Sequence, residues 1–343
     1  MSGAVPISTL SLDPYIASKI ENILDLATGK SLVTTKRITA AELKDKKLRF
    51  IIQANGLSET QQSDLKQQIA DAFVHDPIVD TTRVTFVMSK PKRKIIAVAS
   101  GKGGVGKSTL SASLALVLKQ LGYKVGLVDA DIYGPSQPLL MNTKKQPVTA
   151  DGDRLRPIIT EDGIPMLSMG QIADPEQAIA WRGPKIAGAF TQLMDADWHD
   201  CDVLIVDLPP GTGDIQLSMV REHKPDGVLI ISTPQDIALI DATRAVDLFR
   251  KTGTPIIGLV ENMAGYQCPH CGEISDPFGA GGAELAAENM GIDFWGYIPL
   301  GLDIRLATDS GRLSACLKDS EEGSAASFIA IAKRLGVWLD QHR

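Results

Sequence analysis

The stretch IIAVASGKGGVGKST, residues 95–109, decides the fold of the larger part of this chain. Its first part is apolar, as in a strand that is buried on both faces, and the rest matches the pattern G-x-x-x-x-G-K-S/T in full. Apolar residues then recur at helical spacing, at Leu110, Leu114, Val117, Leu118 and Leu121. The stretch therefore predicts a strand, a phosphate-binding loop and a helix in succession.

The residue types of this loop suit the phosphates of a nucleotide. Glycines let the backbone curl so that successive N–H groups point at phosphate oxygens, and the helix N-terminus adds its dipole. We expect Lys107 to bind the β and γ oxygens and the Ser108 hydroxyl to ligate Mg²⁺. The predicted phosphate site comprises Gly101, Lys102, Gly103, Gly104, Val105, Gly106, Lys107, Ser108 and Thr109. A flexible glycine loop without a ligand is the alternative interpretation.

Further apolar runs repeat at intervals after this unit. They span residues 125–128, 203–206, 228–231 and 256–260, and helical stretches separate them. Runs of Val, Ile and Leu without alternation are typical of strands covered on both faces. The pattern predicts an α/β domain with a doubly wound, mostly parallel sheet. Residues 133–200 interrupt it with short strands near 156–159 and 166–168 and an amphipathic helix after Pro184.

Two of these runs end in carboxylates. The second run leads into Asp129 and Asp131, and the third leads into Asp207. Because the carboxyl ends of parallel strands open onto one crevice, these aspartates should face the bound phosphates. We expect Asp207 to hold Mg²⁺ through water and Asp131 to orient the attacking water. An aspartate at a strand end can also simply cap the following turn.

The first 90 residues differ, with short elements and no glycine-rich loop, and predict a small α+β domain ahead of a domain over residues 91–343. A helix is expected from Asp13–Pro14 to Gly29, and strands around residues 48–52 and 84–88. Ser58 and Gln61 form a capping box ahead of a second helix. The basic stretch 89–94 is interpreted as a solvated linker rather than a phosphate-backbone contact.

The composition limits the function further. The 343 residues carry 35 Lys plus Arg against 41 Asp plus Glu, a net charge of −6, so we expect no stable nucleic-acid partner. No run of about 18 apolar residues occurs, which predicts no membrane span. Met1–Leu12 lacks the features of a signal peptide, and the 4 cysteines are too few for a disulfide framework. The chain is therefore expected in the cytoplasm.

A cysteine pair with C-x-x-C spacing lies near the end of the predicted sheet. Cys268 and Cys271, in the string CPHCG, can place both sulfurs on one metal ion. His270 is interpreted as a bystander, and neither Cys201 nor Cys316 is an evident further ligand. If the chain dimerises about a two-fold axis, two pairs supply four thiolates, which suit an iron–sulfur cluster or zinc. A redox dithiol is the third interpretation.

The phosphate loop also carries a resemblance to a known family. Lys102 gives it the deviant Walker A form, which resembles that of nitrogenase iron protein and the septum-positioning and chromosome-partitioning ATPases. These are homodimers that bind ATP between their subunits, so the resemblance implies that Lys102 reaches the partner's nucleotide. By the same resemblance Asp131 is the switch I aspartate and Asp207 begins switch II. Asn262, which follows a late strand, would contact adenine; an ordinary turn residue is the alternative.

Longer strings narrow the resemblance. VDADIYGPS, WRGP, VDLPPGTGDIQL, STPQDIALID and ENMAGYQCPHCG, in that order, resemble the Mrp (ApbC-type) branch, whose members are iron–sulfur cluster carriers. This implies that Cys268 and Cys271 of two subunits hold one cluster, of the 4Fe–4S type, which ATP helps to load or release. Apo iron–sulfur proteins and cluster-assembly factors would be the partners. The first domain resembles a small cluster-assembly domain but has no cysteine, so we expect no cluster there.

Two alternatives remain open at this level. One is a positioning or partitioning ATPase that polymerises on membrane or DNA. Its membrane-targeting helix would be the C-terminal stretch with Phe328, Ile331, Leu335 and Trp338, which a helix covering the sheet explains equally well. The other alternative is a zinc-bridged nucleotide-binding module without turnover. The cysteine pair argues against the partitioning ATPases, which have no use for it.

Overall fold

The computed structural model of the chain describes residues 13–35, 37–87, 93–144, 146–152, 154–172, 183–198, 200–318 and 323–342. The chain divides into two compact units, Met1–Pro91 and Lys92–Arg343. Met1–Leu12, Met88, the start of the basic linker, and Trp181 and Arg182 of the WRGP string lie outside the described residues.

The smaller unit is a three-stranded sheet with two helices. Its elements are α1 (Pro14–Ile20), β1 (Ile38–Lys44), β2 (Lys47–Gln53), α2 (Glu59–Asp71) and β3 (Thr81–Val87). The sheet order is β1-β2-β3, with β1 antiparallel and β3 parallel to β2. Leu48, Phe50 and Ile52 are buried while their neighbours are more exposed, which confirms the predicted alternation in β2. The capping box of Ser58 and Gln61 is also confirmed.

The first helix is shorter than the sequence predicted. It ends at Ile20, and a turn follows before Leu24 forms an isolated antiparallel bridge with Ser31. Ile23 is still buried. The apolar spacing therefore predicted the burial of this residue correctly but not the length of the helix. The prediction of a helix to Gly29 was wrong because that glycine ends a tight turn, in which its N–H donates to the Asp25 carbonyl at 2.7 Å.

The larger unit is built on one extended sheet. Its main strands are β4 (Lys94–Ala99), β5 (Val125–Asp129), β10 (Val203–Asp207), β11 (Gly227–Ser232) and β12 (Ile256–Gln267). They pair in parallel in the order β12-β11-β4-β10-β5, which confirms the predicted doubly wound α/β fold. β14 (Phe294–Leu300), which the sequence analysis did not identify, pairs in parallel with β12. Antiparallel β13 (Ile274–Ser275) pairs with the end of β12.

The interrupting segment extends the same sheet. It contains α4 (Gln137–Leu140), the β6–β7 hairpin (Thr149–Asp151 and Arg154–Arg156), β8 (Ile158–Ile159), β9 (Pro165–Ser168), α5 (Met169–Ile172) and α6 (Gly183–Met194). β9 pairs in parallel with β5, and β8 pairs antiparallel with β9. The two short predicted strands and the amphipathic helix are therefore present, and β8 and β9 widen the main sheet.

Successive residues of the strands lie on opposite faces of the sheet and belong to two apolar cores. Helices cover both of these faces. Ile96 and Val98 belong to one core, with α3 (Lys107–Gln120) and α12 (Gly323–Gln341), and Ala97 and Ala99 belong to the other, with α6 and α8 (Asp236–Lys251). Short helices complete the unit: α7 (Asp214–Ser218) with a π-helical turn (Met219–His223), α9 (Gly282–Met290), α10 (Leu302–Asp309) and α11 (Leu313–Cys316). The apolar stripe of α12 is buried in the first core, as the sheet-covering interpretation predicted. Among the described helices, none is long and apolar enough to cross a membrane.

Candidate functional site

The phosphate loop leaves β4 and enters α3, as its sequence predicted. Gly104 and Gly106 adopt φ values of +79° and +89°, a left-handed conformation that glycine adopts without strain. Gly101 lies so close to α8 that a Cβ atom there would be 2.1 Å from the main-chain carbonyl carbon of Asp241. Backbone freedom at two positions and a close approach at a third are thus needed to form this loop.

The loop lysine is paired with the aspartate that ends β10. The Lys107 ammonium lies 2.5 Å from Asp207 Oδ1, and both side chains are buried. Ser111 Oγ, one turn further along α3, donates to the same oxygen at 3.2 Å. Asp207 Oδ2 accepts from the side-chain amide of Gln137 at 2.9 Å. A fully buried carboxylate thus has one cation and two neutral donors around it.

A second buried carboxylate, Asp129, lies beside the first. Asp129 accepts hydrogen bonds from the Asp131 and Gln137 main-chain N–H groups at 3.2 and 3.1 Å and from the Ser168 hydroxyl at 2.9 Å. Burial, and secondly the negative charge of Asp207, raise the pKa of the Asp129 carboxyl to about 7. The two carboxylates, Asp129 and Asp207, therefore lie side by side at the ends of β5 and β10.

Asp131 begins the loop after β5 and is half-buried. Its Oδ1 accepts from the main-chain N–H groups of Tyr133 and Gly134 at 3.2 and 3.1 Å, so the side chain also caps its own turn. It lines the same cavity as Lys102, Lys107 and Ser108. The hydrogen bonds of Asp131 therefore match the turn-capping interpretation. Because Asp131 also lines the cavity, its role in orienting the attacking water stays a prediction.

Asn262 lies inside β12, not after a strand as the sequence predicted. Its side-chain amide donates to the Val105 carbonyl of the phosphate loop at 2.8 Å, and a Cβ atom on Gly106 would lie 2.1 Å from Asn262 Nδ2. Asn262 also lines the cavity, and its contact with adenine stays a prediction. β12 continues beyond Asn262 to Gln267, with left-handed φ values at Met263 and Gly265, where its register against β14 shifts.

The cavity above the strand ends has a volume of about 620 Å³. On one side are the phosphate loop, Asp131 and Pro210, and on the other are Pro299, Gly301 and Arg305 from the end of β14 and the start of α10. A volume of this size is in the range of small-molecule sites, which span roughly 300–1,000 Å³. Seven of the nine predicted phosphate-site residues line this cavity, which is large enough for a nucleotide. Asp207, paired with Lys107, is fully buried and is not among the lining residues.

The cysteine pair lies at the tip of the hairpin formed by β12 and β13. The Cys268 N–H donates to the Glu273 carbonyl and the Gly272 N–H donates to the Cys268 carbonyl, each at 2.9 Å. Gly272 adopts φ +75°, which closes the turn. N–H groups of Cys271 and His270, and then the Cys271 thiol, lower the pKa of the Cys268 thiol. Both sulfurs thus belong to one short turn, with Cys271 exposed and Cys268 partly exposed.

We call residues 267–280 the cysteine arm. None of its residues is buried. Glu261 lies in β12, before the cysteine arm. It accepts hydrogen bonds from the N–H groups of Gly281 and Ala283, which follow the arm, at 3.0 and 2.6 Å. Glu261 is fully buried and lies next to Asn262. The arm therefore leaves and re-enters the fold beside the residue that touches the phosphate loop.

The other cysteines do not join this pair. Cys201 is buried among apolar residues of the second core, and burial raises the pKa of its thiol to about 11. Burial also raises the pKa of Cys316. Within the described part of the chain, no group of three or more His, Cys, Asp or Glu side chains could hold a metal ion.

Sequence reasoning missed several residues of the site. Four residues make buried hydrogen bonds to the site residues or their neighbours: Gln137, Ser111, Ser168 and Glu261. Asp129 was noted without a specific role. The pattern VDAD does show that two carboxylates end β5. The remaining contacts depend on pairing between β5, β9 and β10, which no local spacing reveals.

The fold and the loop define a P-loop NTPase: a parallel sheet, a glycine loop between β4 and α3, and carboxylates at neighbouring strand ends. Residues 92–336 match the family model described as "ParA: NUBPL iron-transfer P-loop NTPase". The chain belongs to this family. The resemblance seen in the sequence is thereby confirmed.

Relatives and a solved structure agree with this assignment. The chain is 42% identical over 253 residues to an iron-sulfur cluster carrier protein of Methanocaldococcus jannaschii, covering 72% of this chain and 85% of the relative. It is 36% identical over 326 residues to the iron-sulfur cluster carrier protein of Deinococcus radiodurans, covering 92% of each chain and thus both units. A nucleotide-binding protein of Archaeoglobus fulgidus in complex with ADP is similar in structure, with a TM-score of 0.59 and 37% identity over 69% of this chain and 91% of that one.

Proposed function

We propose that this protein binds and hydrolyses ATP and carries an iron–sulfur cluster, held between two copies of the chain, to apoproteins that require it. The observation that carries the proposal is the pair of accessible thiols on the cysteine arm. The arm continues the strand whose Asn262 contacts the phosphate loop. The names of the relatives, which describe cluster carriers, support the same function.

For the nucleotide, the chain offers a cradle of backbone N–H groups and one buried lysine. Phosphates placed over residues 101–109 would accept from those N–H groups at the N-terminus of α3. Lys107 would leave Asp207 for the β and γ oxygens, because a phosphate carries more negative charge than one carboxylate. The part of the cavity lined by Pro299 and Arg305 leaves room for the base and the sugar, and Asn262 also lines the cavity.

The oxygen donors next to this cradle fit Mg²⁺. The Ser108 hydroxyl lines the cavity, and the Asp207 carboxylate lies at the end of the neighbouring strand. Mg²⁺ prefers oxygen ligands and keeps several waters of its own, so the Ser108 hydroxyl would ligate it directly and Asp207 would hold it through one of those waters. When bound, the ion would neutralise charge on the phosphates.

Hydrolysis requires an oriented water and stabilisation of charge. Asp131 would be the general base: it lines the cavity, and its side chain accepts hydrogen bonds from the N–H groups of its own turn. Lys102 lines the same cavity at the open start of the loop. In a face-to-face dimer it would reach the partner's nucleotide, so hydrolysis would depend on dimerisation.

The cluster is cargo in this proposal and not a resident cofactor. Two thiols from each chain supply the four thiolates of a 4Fe–4S cluster, and the lowered pKa of Cys268 favours the thiolate that iron requires. Because the arm is exposed, a client protein can approach the cluster directly. Assembly factors would load it by the same route.

Anaerobic reconstitution tests the proposal. The protein is reconstituted with iron and sulfide, and iron, sulfide and zinc are then measured in the unmodified protein and in a Cys268→Ala/Cys271→Ala variant. We expect four irons per dimer, a brown chromophore in the unmodified protein and neither in the variant. The Cys201→Ala/Cys316→Ala variant is the matched control and should bind the cluster as the unmodified protein does. Stoichiometric zinc, or a cluster retained without Cys268 and Cys271, would contradict the proposal.

A further inference from the structure

We infer that Gln137 is a positioning residue of the nucleotide–metal site, which ties the phosphate loop to the carboxylate of Asp207 and accepts a hydrogen bond from a water of the bound Mg²⁺. The inference rests on the proposed function, since it concerns the same nucleotide site. No motif quoted from the sequence assigns a role to this residue.

The first observation is where the two hydrogens of its amide point. Gln137 Nε2 donates to the main-chain carbonyl of Ser108 and to Asp207 Oδ2, both at 2.9 Å. Ser108 and Asp207 are the two residues proposed to hold Mg²⁺, one from α3 and the other from β10. The carboxamide therefore fixes the spacing between the two elements that carry the metal ligands.

The second observation is the other half of the same amide. Gln137 Oε1 is buried and accepts no hydrogen bond from any residue in the described ranges. Leaving a buried acceptor unsatisfied is unfavourable, so such an atom calls for a donor. Because Oε1 and Nε2 share one planar carboxamide, Oε1 lies within the same buried polar group as Asp207 and Ser108. A metal-bound water is a strong donor at this location.

The third observation connects the residue to the loop after β5. The Gln137 main-chain N–H donates to Asp129 Oδ2 at 3.1 Å, and Asp129 Oδ1 accepts from the Asp131 N–H at 3.2 Å. Gln137 is fully buried and begins α4. A displacement of the metal site would thus be transmitted through Gln137 and the Asp129 side chain to the segment that carries Asp131.

The chain offers a close control for a buried glutamine. Gln216 is also buried, its Nε2 donates to the Pro209 carbonyl at 2.6 Å, and its Oε1 likewise lacks a partner among the described residues. It does not contact Ser108 or Asp207 in the described structure. Gln137→Met and Gln216→Met each remove one buried amide of similar size, but only the first removes it from the metal site.

The test measures nucleotide binding in the full chain, with and without Mg²⁺. Affinity for a fluorescent ADP analogue is titrated once in about 5 mM Mg²⁺, to saturate the metal site, and once in EDTA. We expect Gln137→Met to weaken binding about tenfold more in Mg²⁺ than in EDTA, which corresponds to the loss of one charge-assisted hydrogen bond. Gln216→Met should leave the ratio of the two affinities at the wild-type value.

Several outcomes would overturn the inference. Equal losses with and without Mg²⁺ would show a merely structural role, and no loss would show no role. Where Gln137→Met does not fold, Gln137→Leu replaces it, since this variant also loses both donated bonds without burying a new charge. Wild-type Mg²⁺ dependence in Gln137→Leu would refute the positioning role. If the unmodified protein itself bound the ADP analogue independently of Mg²⁺, the metal site within the proposed function would fail instead.

Discussion

Replacement of Gly106 by alanine tests the contact between the phosphate loop and the cysteine-bearing strand. The new Cβ would lie 2.1 Å from Asn262 Nδ2 and 3.3 Å from Asn262 Cγ, so the amide must leave the Val105 carbonyl. The left-handed backbone of residue 106 costs an alanine about 1 kcal/mol. Loss of the buried hydrogen bond adds about 2 kcal/mol. We therefore expect Gly106→Ala to lower the free energy of unfolding by about 3 kcal/mol.

Gly104 provides the matched control. It has φ +79°, but a Cβ atom there meets nothing within 4 Å. Gly104→Ala should therefore cost only the backbone strain, about 1 kcal/mol. In an Asn262→Ala background the obstacle is gone, and Gly106→Ala should likewise cost about 1 kcal/mol, so the double-mutant cycle gives a coupling of about 2 kcal/mol.

Urea unfolding followed by tryptophan fluorescence measures these differences. All 4 tryptophans, at positions 181, 198, 295 and 338, belong to the larger unit, so their signal reports its unfolding. The measurement is made without nucleotide, so that ligand binding does not enter the comparison. Equal destabilisation by Gly104→Ala and Gly106→Ala, or an additive cycle, would refute the reasoning.

Three further predictions concern charged residues of the site. Lys107→Ala leaves the Asp207 carboxylate buried without its cation, so the free energy of unfolding should fall by about 3–5 kcal/mol. Cluster loading should persist while nucleotide-dependent transfer is lost. Transfer at the wild-type rate would contradict an ATP-driven mechanism. Asp131→Ala should keep nucleotide affinity and slow hydrolysis by roughly a hundredfold or more, in a phosphate-release assay; unchanged turnover would exclude Asp131 as the base. The raised pKa of Asp129, about 7 against an ordinary value near 4, means that its contribution to stability is complete below about pH 4 and is lost as the pH rises through 7. Relative to Asp129→Asn, the unmodified protein should therefore lose unfolding free energy between pH 4 and 7 and show no further relative change above pH 7; parallel pH profiles would contradict this.

The main sheet was predictable because its strands are covered on both faces. Continuous runs of Val, Ile and Leu can satisfy only that environment, and the glycine loop fixed which strand begins the unit. β14 escaped because Gly296 and Pro299 break its apolar pattern, and β1 escaped because Ile38 alone is buried along it. Both strands exist through pairing with a neighbour, which is a long-range property.

The candidate site shows the same division. The phosphate loop is contiguous in the chain, so its residues were identified together and the structure groups them at one cavity. Asn262 was placed after its strand, since the apolar run ends at Val260 although the backbone ladder continues to Gln267. Gln137 could not be found from spacing, because its partners are 29 and 70 positions away in the chain.

The cysteine arm has a thermodynamic consequence of its own. Because no residue between positions 267 and 280 is buried, the arm adds almost nothing to the cores that keep the protein folded. Its opening free energy is set by a few turn and ladder hydrogen bonds and should be far below that of global unfolding. The proposed cluster site and the stability of the fold therefore depend on separate sets of residues. We expect substitutions in the arm to change how long the proposed cargo stays bound without changing the melting temperature.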